Sequence, residues 1–287
     1  MPQNPFTCDL AGVRFIFTCL TADDFNPHYL PFLADTALPA DVRCTVACSG
    51  ENPELCRARA RGAWHFEQRD GEACLMGANP TGEVMWRMTG RAPFEHLRFE
   101  WHPTAFTEMY RNEAYGTFGI VAILALVLRL LPLGGLVLHG SAQVIDGSGI
   151  ICTGPSGRGK STISRLFHQC GRTVLTDERP LLRRDGGGFR VYGSPWPSSG
   201  GFVAKESAPL KKIYFIEHGS AQEILPLTTR EAVLRLLDVA LVPWMDQAFF
   251  DPLIQTLETV IREVPVALLR FRPDVSAVEA VCRDLPR

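Results

Sequence analysis

Residues Leu136 to Ser161 read LVLHGSAQVIDGSGIICTGPSGRGKS, and this stretch decides the fold of the second half of the chain. LVLHGSAQVI and GIICTG are apolar runs joined by DGSG, a tight-turn composition, so they are predicted as two strands of a hairpin. The second strand leads directly into GPSGRGKS. From Lys160 onward Ile163, Leu166, Phe167 and Cys170 recur at helical spacing, and Gly171 stands where a C-terminal cap is expected. A glycine-rich segment therefore sits between a strand and a helix.

GPSGRGKS fits G-x-x-x-x-G-K-[ST], with Gly154, Gly159, Lys160 and Ser161 at the defining positions. Composition alone would produce such a match in roughly one chain of this length in a hundred, and the strand-to-helix context lowers that further. Gly154, Gly157 and Gly159 permit positive φ and carry no Cβ to obstruct phosphate oxygens. Consecutive backbone N–H groups, those of Ser156, Arg158 and Thr162 among them, can then cradle negative charge at a helix N-terminus. Lys160 adds a mobile point charge for the β- and γ-phosphates of ATP, and the Ser161 hydroxyl suits Mg²⁺. Arg158 lies inside the loop, where it either reaches phosphate or is solvated.

Outward from this segment, TVLTDE reads as a strand ending in two acids, Asp177 and Glu178. RRDGGGFRVYG reads as a hairpin and not a crossover helix, so the sheet is expected to be mixed. KKIYFIE is a further strand, TTREAVLRLLDVAL a helix with Thr228 or Thr229 as N-cap, and VPVALLRF then VSAVEAVCRDL a closing strand and helix. Between Phe6 and His102 the pattern changes to short β-like runs: VRFIF, VRCTVAC, AWHFEQ, EVMWRM and HLRFEW. That half carries no phosphate or metal signature. Cys44, Cys48, Cys56 and Cys74 lack the close pairing of zinc ligands, and Cys44 and Cys48 fall in phase with Val42 and Val46 on one strand face, as core residues do.

The apolar run from Tyr115 to Leu131 holds Gly116, Thr117, Gly119 and Arg129. It falls short of the ~20 clean residues of a spanning helix, so a buried core helix and no membrane association are expected. Two domains follow, 1–115 and 116–287, the first β-rich and without phosphate chemistry of its own. With 29 basic against 31 acidic side chains, no long-range field favours nucleic acid. Nine cysteines scattered through strands and helices, and a first decapeptide unlike a signal peptide, predict reduced thiols and a cytoplasmic location. The pattern leaves a homo-oligomer open.

LHGSAQVIDGSGIICTGPSGRGKST followed by LTDE resembles the catalytic domain of HPr kinase/phosphorylase and its stand-alone kinase relatives, some of which occur with ribosomally made peptide natural products. That wider group is related to phosphoenolpyruvate carboxykinase. The resemblance spans Leu136 to Tyr192 and fades toward the C-terminus. It implies an α/β fold with a mixed-sheet phosphate-loop domain, and an ATP- and Mg²⁺-dependent kinase acting on a hydroxyl of a peptide, protein or small molecule. It also implies roles: His139-Gly140 complete the site from the preceding strand, Asp177 is the base that accepts the acceptor hydroxyl's proton, and Glu178 assists the metal. The family usually has two aspartates there, so Glu178 is a departure. By position GSPWPSSGG, Gly193 to Gly201, resembles a loop near the acceptor, although its Pro and Gly content also fits any surface loop. HPr itself is not the expected acceptor, because neither the C-terminal stretch that engages it nor the N-terminal half of that enzyme is recognisable. The rival reading is a nucleotide-dependent regulatory module, supported by Glu217, which ends IYFIE as a metal-binding acid ends a strand in ordinary NTPases. A third reading is a decarboxylating carboxykinase, but the chain is short and does not show the additional basic and metal-binding positions which that chemistry requires.

Overall fold

The computed structural model describes residues 5–18, 26–48, 64–101, 116–242 and 247–285. Two compact units divide the chain, Met1–Pro132 with Pro243–Phe250 and Leu133–Val242 with Asp251–Arg287.

Among the described residues of the first unit seven strands form one sheet: β1 (Phe6–Leu10), β2 (Val13–Thr18), β3 (Val42–Cys48), β4 (Trp64–Arg69), β5 (Glu72–Ala78), β6 (Val84–Gly90) and β7 (His96–Trp101). Their spatial order is β1-β2-β3-β7-β6-β5-β4, with β3 parallel to both its neighbours and the other pairs antiparallel. Period-two alternation buries Val42, Cys44 and Val46 together, so Cys44 is a core residue as its phase predicted. Cys56, the Cys48 side chain and Ala63, expected to open the fourth strand, lie outside the described residues.

Helix α1 (Gly116–Leu130) is apolar on every side and is buried accordingly, with Val121, Ala122, Leu124, Ala125 and Leu126 at 2% exposure or less. Phe118 on this helix meets Phe6, Phe17 and Tyr29 with ring centroids 4.5, 4.9 and 4.4 Å apart, edge to face. It is a core helix. Among the described residues no helix is long and apolar enough to cross a membrane. Tyr115, its expected first residue, lies outside them.

The second unit holds β8 (Leu136–Val137), β9 (Gly140–Ile145), β10 (Ser148–Thr153), β11 (Thr173–Thr176), β12 (Leu181–Asp185), β13 (Gly188–Tyr192), β14 (Ser207–His218), β15 (Glu223–Pro226) and β16 (Val266–Phe271). Its helices are α2 (Lys160–Gln169), α3 (Thr229–Val239), α4 (Gln247–Glu263, from Asp251 on) and α5 (Ser276–Asp284). The sheet runs β11-β9-β10-β14-β13-β12-β8, with β16 beside β14 and β15 beside β16. β14 is parallel to β10 and to β16, whereas β9–β10 and β12–β13 are hairpins, so the sheet is mixed and the fold is α/β as expected.

Alternation along the central strands sends Ile150, Cys152, Tyr214 and Ile216 to one face, where they pack with Ile163 and Phe167 of α2 and Val281 of α5. Cys170 departs from the expected core face. It is exposed, because α2 ends at Gln169 and the chain turns through Gly171 in the left-handed region (φ +72°) before Cys170 can point inward. Thr228 caps α3 in a reciprocal capping box with Glu231.

Candidate functional site

The glycine loop joins the end of β10 at Thr153 to the start of α2 at Lys160. Gly157 and Gly159 take φ of +80° and +97°, conformations that a side chain would strain. A Cβ on Gly159 would also stand 3.0 Å from the Phe271 ring at the end of β16. Gly159 is the N-cap of α2 and makes no side-chain cap bond, so the first-turn N–H donors and the positive end of the helix face the loop with no side chain over them. Ser156 and Arg158 are exposed on the arch, and Ser161 and Thr162 are half-buried on the first turn.

Lys160 is buried at 7% exposure, and its Nζ donates to the carbonyls of Gly154 (2.9 Å) and Pro155 (3.0 Å). Its ammonium is thereby held inside the arch of its own loop. Burial lowers its pKa, the Glu178 carboxylate opposes that shift, and the Arg179 charge adds to it.

Two features of the hairpin bring the next residues in. Gly140 pairs with Thr153, and a Cβ there would meet the Cys152 carbonyl at 3.1 Å; the residue before it, His139, is thus set beside the loop. Thr153 Oγ1 donates to the His139 carbonyl (2.7 Å), and Gly140 N–H donates to the Glu178 carbonyl (3.1 Å), tying β9 to the acids that follow β11. His139 Nδ1 lies 3.2 Å from Glu178 Oε1, and Arg179 reaches both, NH1 to His139 Nδ1 at 2.6 Å and NH2 to Glu178 Oε1 at 3.3 Å. Burial works against ionisation of Glu178, yet its pKa is lowered because the contact with His139 and the charges of Arg179 and Lys160 outweigh that cost. Glu178 stays a carboxylate among basic groups.

Asp177 makes different contacts from its neighbour. It is fully buried, and its oxygens accept the backbone N–H of Ser198 (2.9 Å) and of Gly200 (2.7 Å) from the segment Gly193–Gly201. The structure therefore brings His139, Lys160 and Glu178 together at the loop and sets Asp177 against this segment.

Glu217, the acid on which the rival reading rested, follows Phe215 on the sheet face opposite Tyr214 and Ile216. There it pairs with Arg235 of α3 (3.1 Å) and Arg270 of β16 (3.6 Å). Its charge is matched by those arginines. Two site residues were missed in the sequence. Arg179 was visible as a cation next to the acid pair. His218, whose Nε2 lies 3.0 Å from the Gly157 carbonyl, is brought to the loop only by the parallel register of Thr153 with Phe215.

A mixed-sheet α/β unit with a glycine loop at a strand-to-helix junction and the Glu178 carboxylate beside it is the class these features define. The chain belongs to the family described as SynChlorMet cassette protein ScmC, whose model matches residues 117–268, more than half of the chain. No curated protein matches it. Among solved structures it is similar to the Hpr(Ser) kinase/phosphatase from Coxiella burnetii, at 13% identity and a TM-score of 0.31 over 52% of this chain and 94% of that one.

Proposed function

We propose that the second unit binds ATP with Mg²⁺ and transfers the γ-phosphate to a hydroxyl of a peptide, a protein or a small molecule. One observation carries this reading: an uncapped helix N-terminus and a glycine arch holding Lys160 meet the Glu178–His139–Arg179 cluster at one place. Backbone donors from Gly154 to Thr162 would bind phosphate oxygens, and Lys160 would exchange its loop carbonyls for the β- and γ-phosphates. Among the described residues no group of three His, Cys, Asp or Glu could hold a metal by itself. Mg²⁺ would therefore rest on Ser161 and Glu178, completed by nucleotide oxygens and water; it would neutralise charge on the transferred group. In the transfer the acceptor oxygen bonds to the γ-phosphorus, the bond to the β,γ-bridging oxygen breaks, and ADP leaves with that electron pair. The acceptor proton goes to Asp177. We assign residues 1–115 to acceptor selection, since that half offers no phosphate-binding pattern.

The test is incubation with γ-labelled ATP and Mg²⁺, alone and then with a fractionated lysate or synthetic peptides. Label appearing on one hydroxyl compound supports the transfer. Label released only as inorganic phosphate under every condition contradicts it and favours a regulatory hydrolase.

A further inference from the structure

The segment from Gly193 to Phe202 crosses the end of β11 as a strap tied down on both sides of Asp177. On one side the Ser194 hydroxyl lies 3.2 Å from that of Thr176, Gly193 N–H donates to the Glu206 backbone carbonyl, and Trp196 is fully buried. On the other, Val203 bridges to Thr176 and Ala204 N–H donates to Leu175. Between these anchors Ser198 to Gly201 form a turn, closed by Gly201 N–H to the Ser198 carbonyl at 3.1 Å, and exposure rises: Ser199 and Gly201 are open to solvent. The turn touches Asp177 through the two backbone N–H groups of Ser198 and Gly200. The remainder of the strap needs no contact with the carboxylate to stay in place.

Gly200 sets how closely the turn can shut. A Cβ there would stand 2.4 Å from Asp177 Oδ2 and 2.8 Å from the Phe202 ring. Its φ is not in the left-handed region, so the obstacle to a side chain is this contact and not backbone strain.

We propose that the Ser198–Gly201 turn is a latch that closes the Asp177 carboxylate, and that its opening admits the acceptor hydroxyl. This role rests on the phosphoryl-transfer reading above. Latched, Asp177 has its oxygens on backbone donors and no solvent contact, so water has no base to assist it and bound ATP is spared hydrolysis. Released, the carboxylate is free to accept a proton, while the anchors at Trp196 and Val203 keep the turn nearby. The scale suits a switch: only two hydrogen bonds to the carboxylate must be given up, which is within reach of the binding energy of an acceptor.

The existence of the latch can be read without nucleotide. Amide hydrogen exchange over the peptide 194–201 would be compared in the wild type, Gly200→Ala and Asp177→Asn, with carbodiimide coupling of a small amine reporting access to Asp177 in the first two. The expected result is protection in the wild type, roughly tenfold faster exchange confined to this peptide in both variants, and coupling at Asp177 only in Gly200→Ala. Equal exchange in all three chains, or equal coupling in the first two, overturns the latch. If Gly200→Ala proves poorly folded, the Asp177→Asn exchange pattern decides alone. Its gating role is read separately, as acceptor-independent ATP hydrolysis. About a tenfold rise in Gly200→Ala supports gating, and an unchanged rate with a freed turn overturns it. A chain that binds no ATP at all refutes the transfer reading and with it the gating role, while exchange still decides whether the latch exists.

Discussion

Each unit holds a shielded glutamate between basic groups, and the two are put to different use. In the first, Glu100 is 3% exposed on β7 and ion-pairs with Arg87 of β6 and with Arg98 on its own strand, the latter at 3.0 Å. All three belong to sheet strands, whose backbone donors and acceptors are committed to the ladder. In the second, Glu178 lies beyond the end of a strand, next to an uncapped helix and a glycine arch whose backbone N–H groups are not committed to a ladder. Similar side chains thus give a structural ion cluster in one place and a candidate anion site in the other. The neighbouring backbone makes the difference.

That contrast fails if the two clusters respond alike. The largest effect is expected at Asp177: replacement by Asn should lower phosphoryl transfer about 10²- to 10⁴-fold while ATP affinity is kept, because the amide preserves shape but cannot accept the proton. Rate and nucleotide affinity measured side by side separate the two. Glu100→Gln should do the reverse, costing about 2 kcal/mol in urea unfolding by leaving Arg87 poorly paired, with ATP affinity untouched. A transfer defect in Glu100→Gln would dissolve the division between the units.

Glu178→Gln should raise the Mg²⁺ concentration for half-maximal activity by roughly tenfold, the order expected for one lost metal oxygen ligand. A Mg²⁺ titration at saturating ATP reads it. The smallest effect serves as a control common to both units. Burial pushes the thiols of Cys44 in β3 and Cys152 in β10 up to about 12 from an ordinary value of 9.0. A raised acid pKa means that the folded state holds its proton longer than the unfolded one, so this stability is intact below pH 9 and is lost as pH rises toward about 12. Melting curves across that window should fall, and iodoacetamide at pH 8 should label exposed Cys170 at once but these two only on unfolding.

How much of this was legible follows from where the information lies. Turn chemistry and period gave the β9–β10 and β12–β13 hairpins, the glycine loop and α2, because each is fixed by neighbours in sequence. α4 escaped notice: Pro252 inside it reads as a break, and its apolar series, Phe249, Leu253, Leu257 and Val260, shows only once the helix is granted. β5 escaped because EACLMGA does not alternate cleanly, and Gly77 there leaves room for the Trp86 indole, which would lie 2.2 Å from a Cβ. At the site, Lys160 and Glu178 could be named from motif and resemblance. The His218 contact depends on strand register, and the burial of Asp177 under Ser198 and Gly200 depends on a segment some twenty residues away, a distance at which composition says nothing about contact.

The most direct test of the central claim is the thermal shift given by ATP with Mg²⁺ in the wild type and in Lys160→Ala. Without nucleotide the variant should melt lower by what the two Nζ bonds to the Gly154 and Pro155 carbonyls contribute, so the ATP shift of each chain is read from its own nucleotide-free baseline. With ATP at about a hundred times its dissociation constant the wild type should gain about 2.7 kcal/mol, and the variant much less at the same concentration. Equal shifts in both chains, or none in the wild type, would contradict the claim that this loop holds the phosphates of ATP.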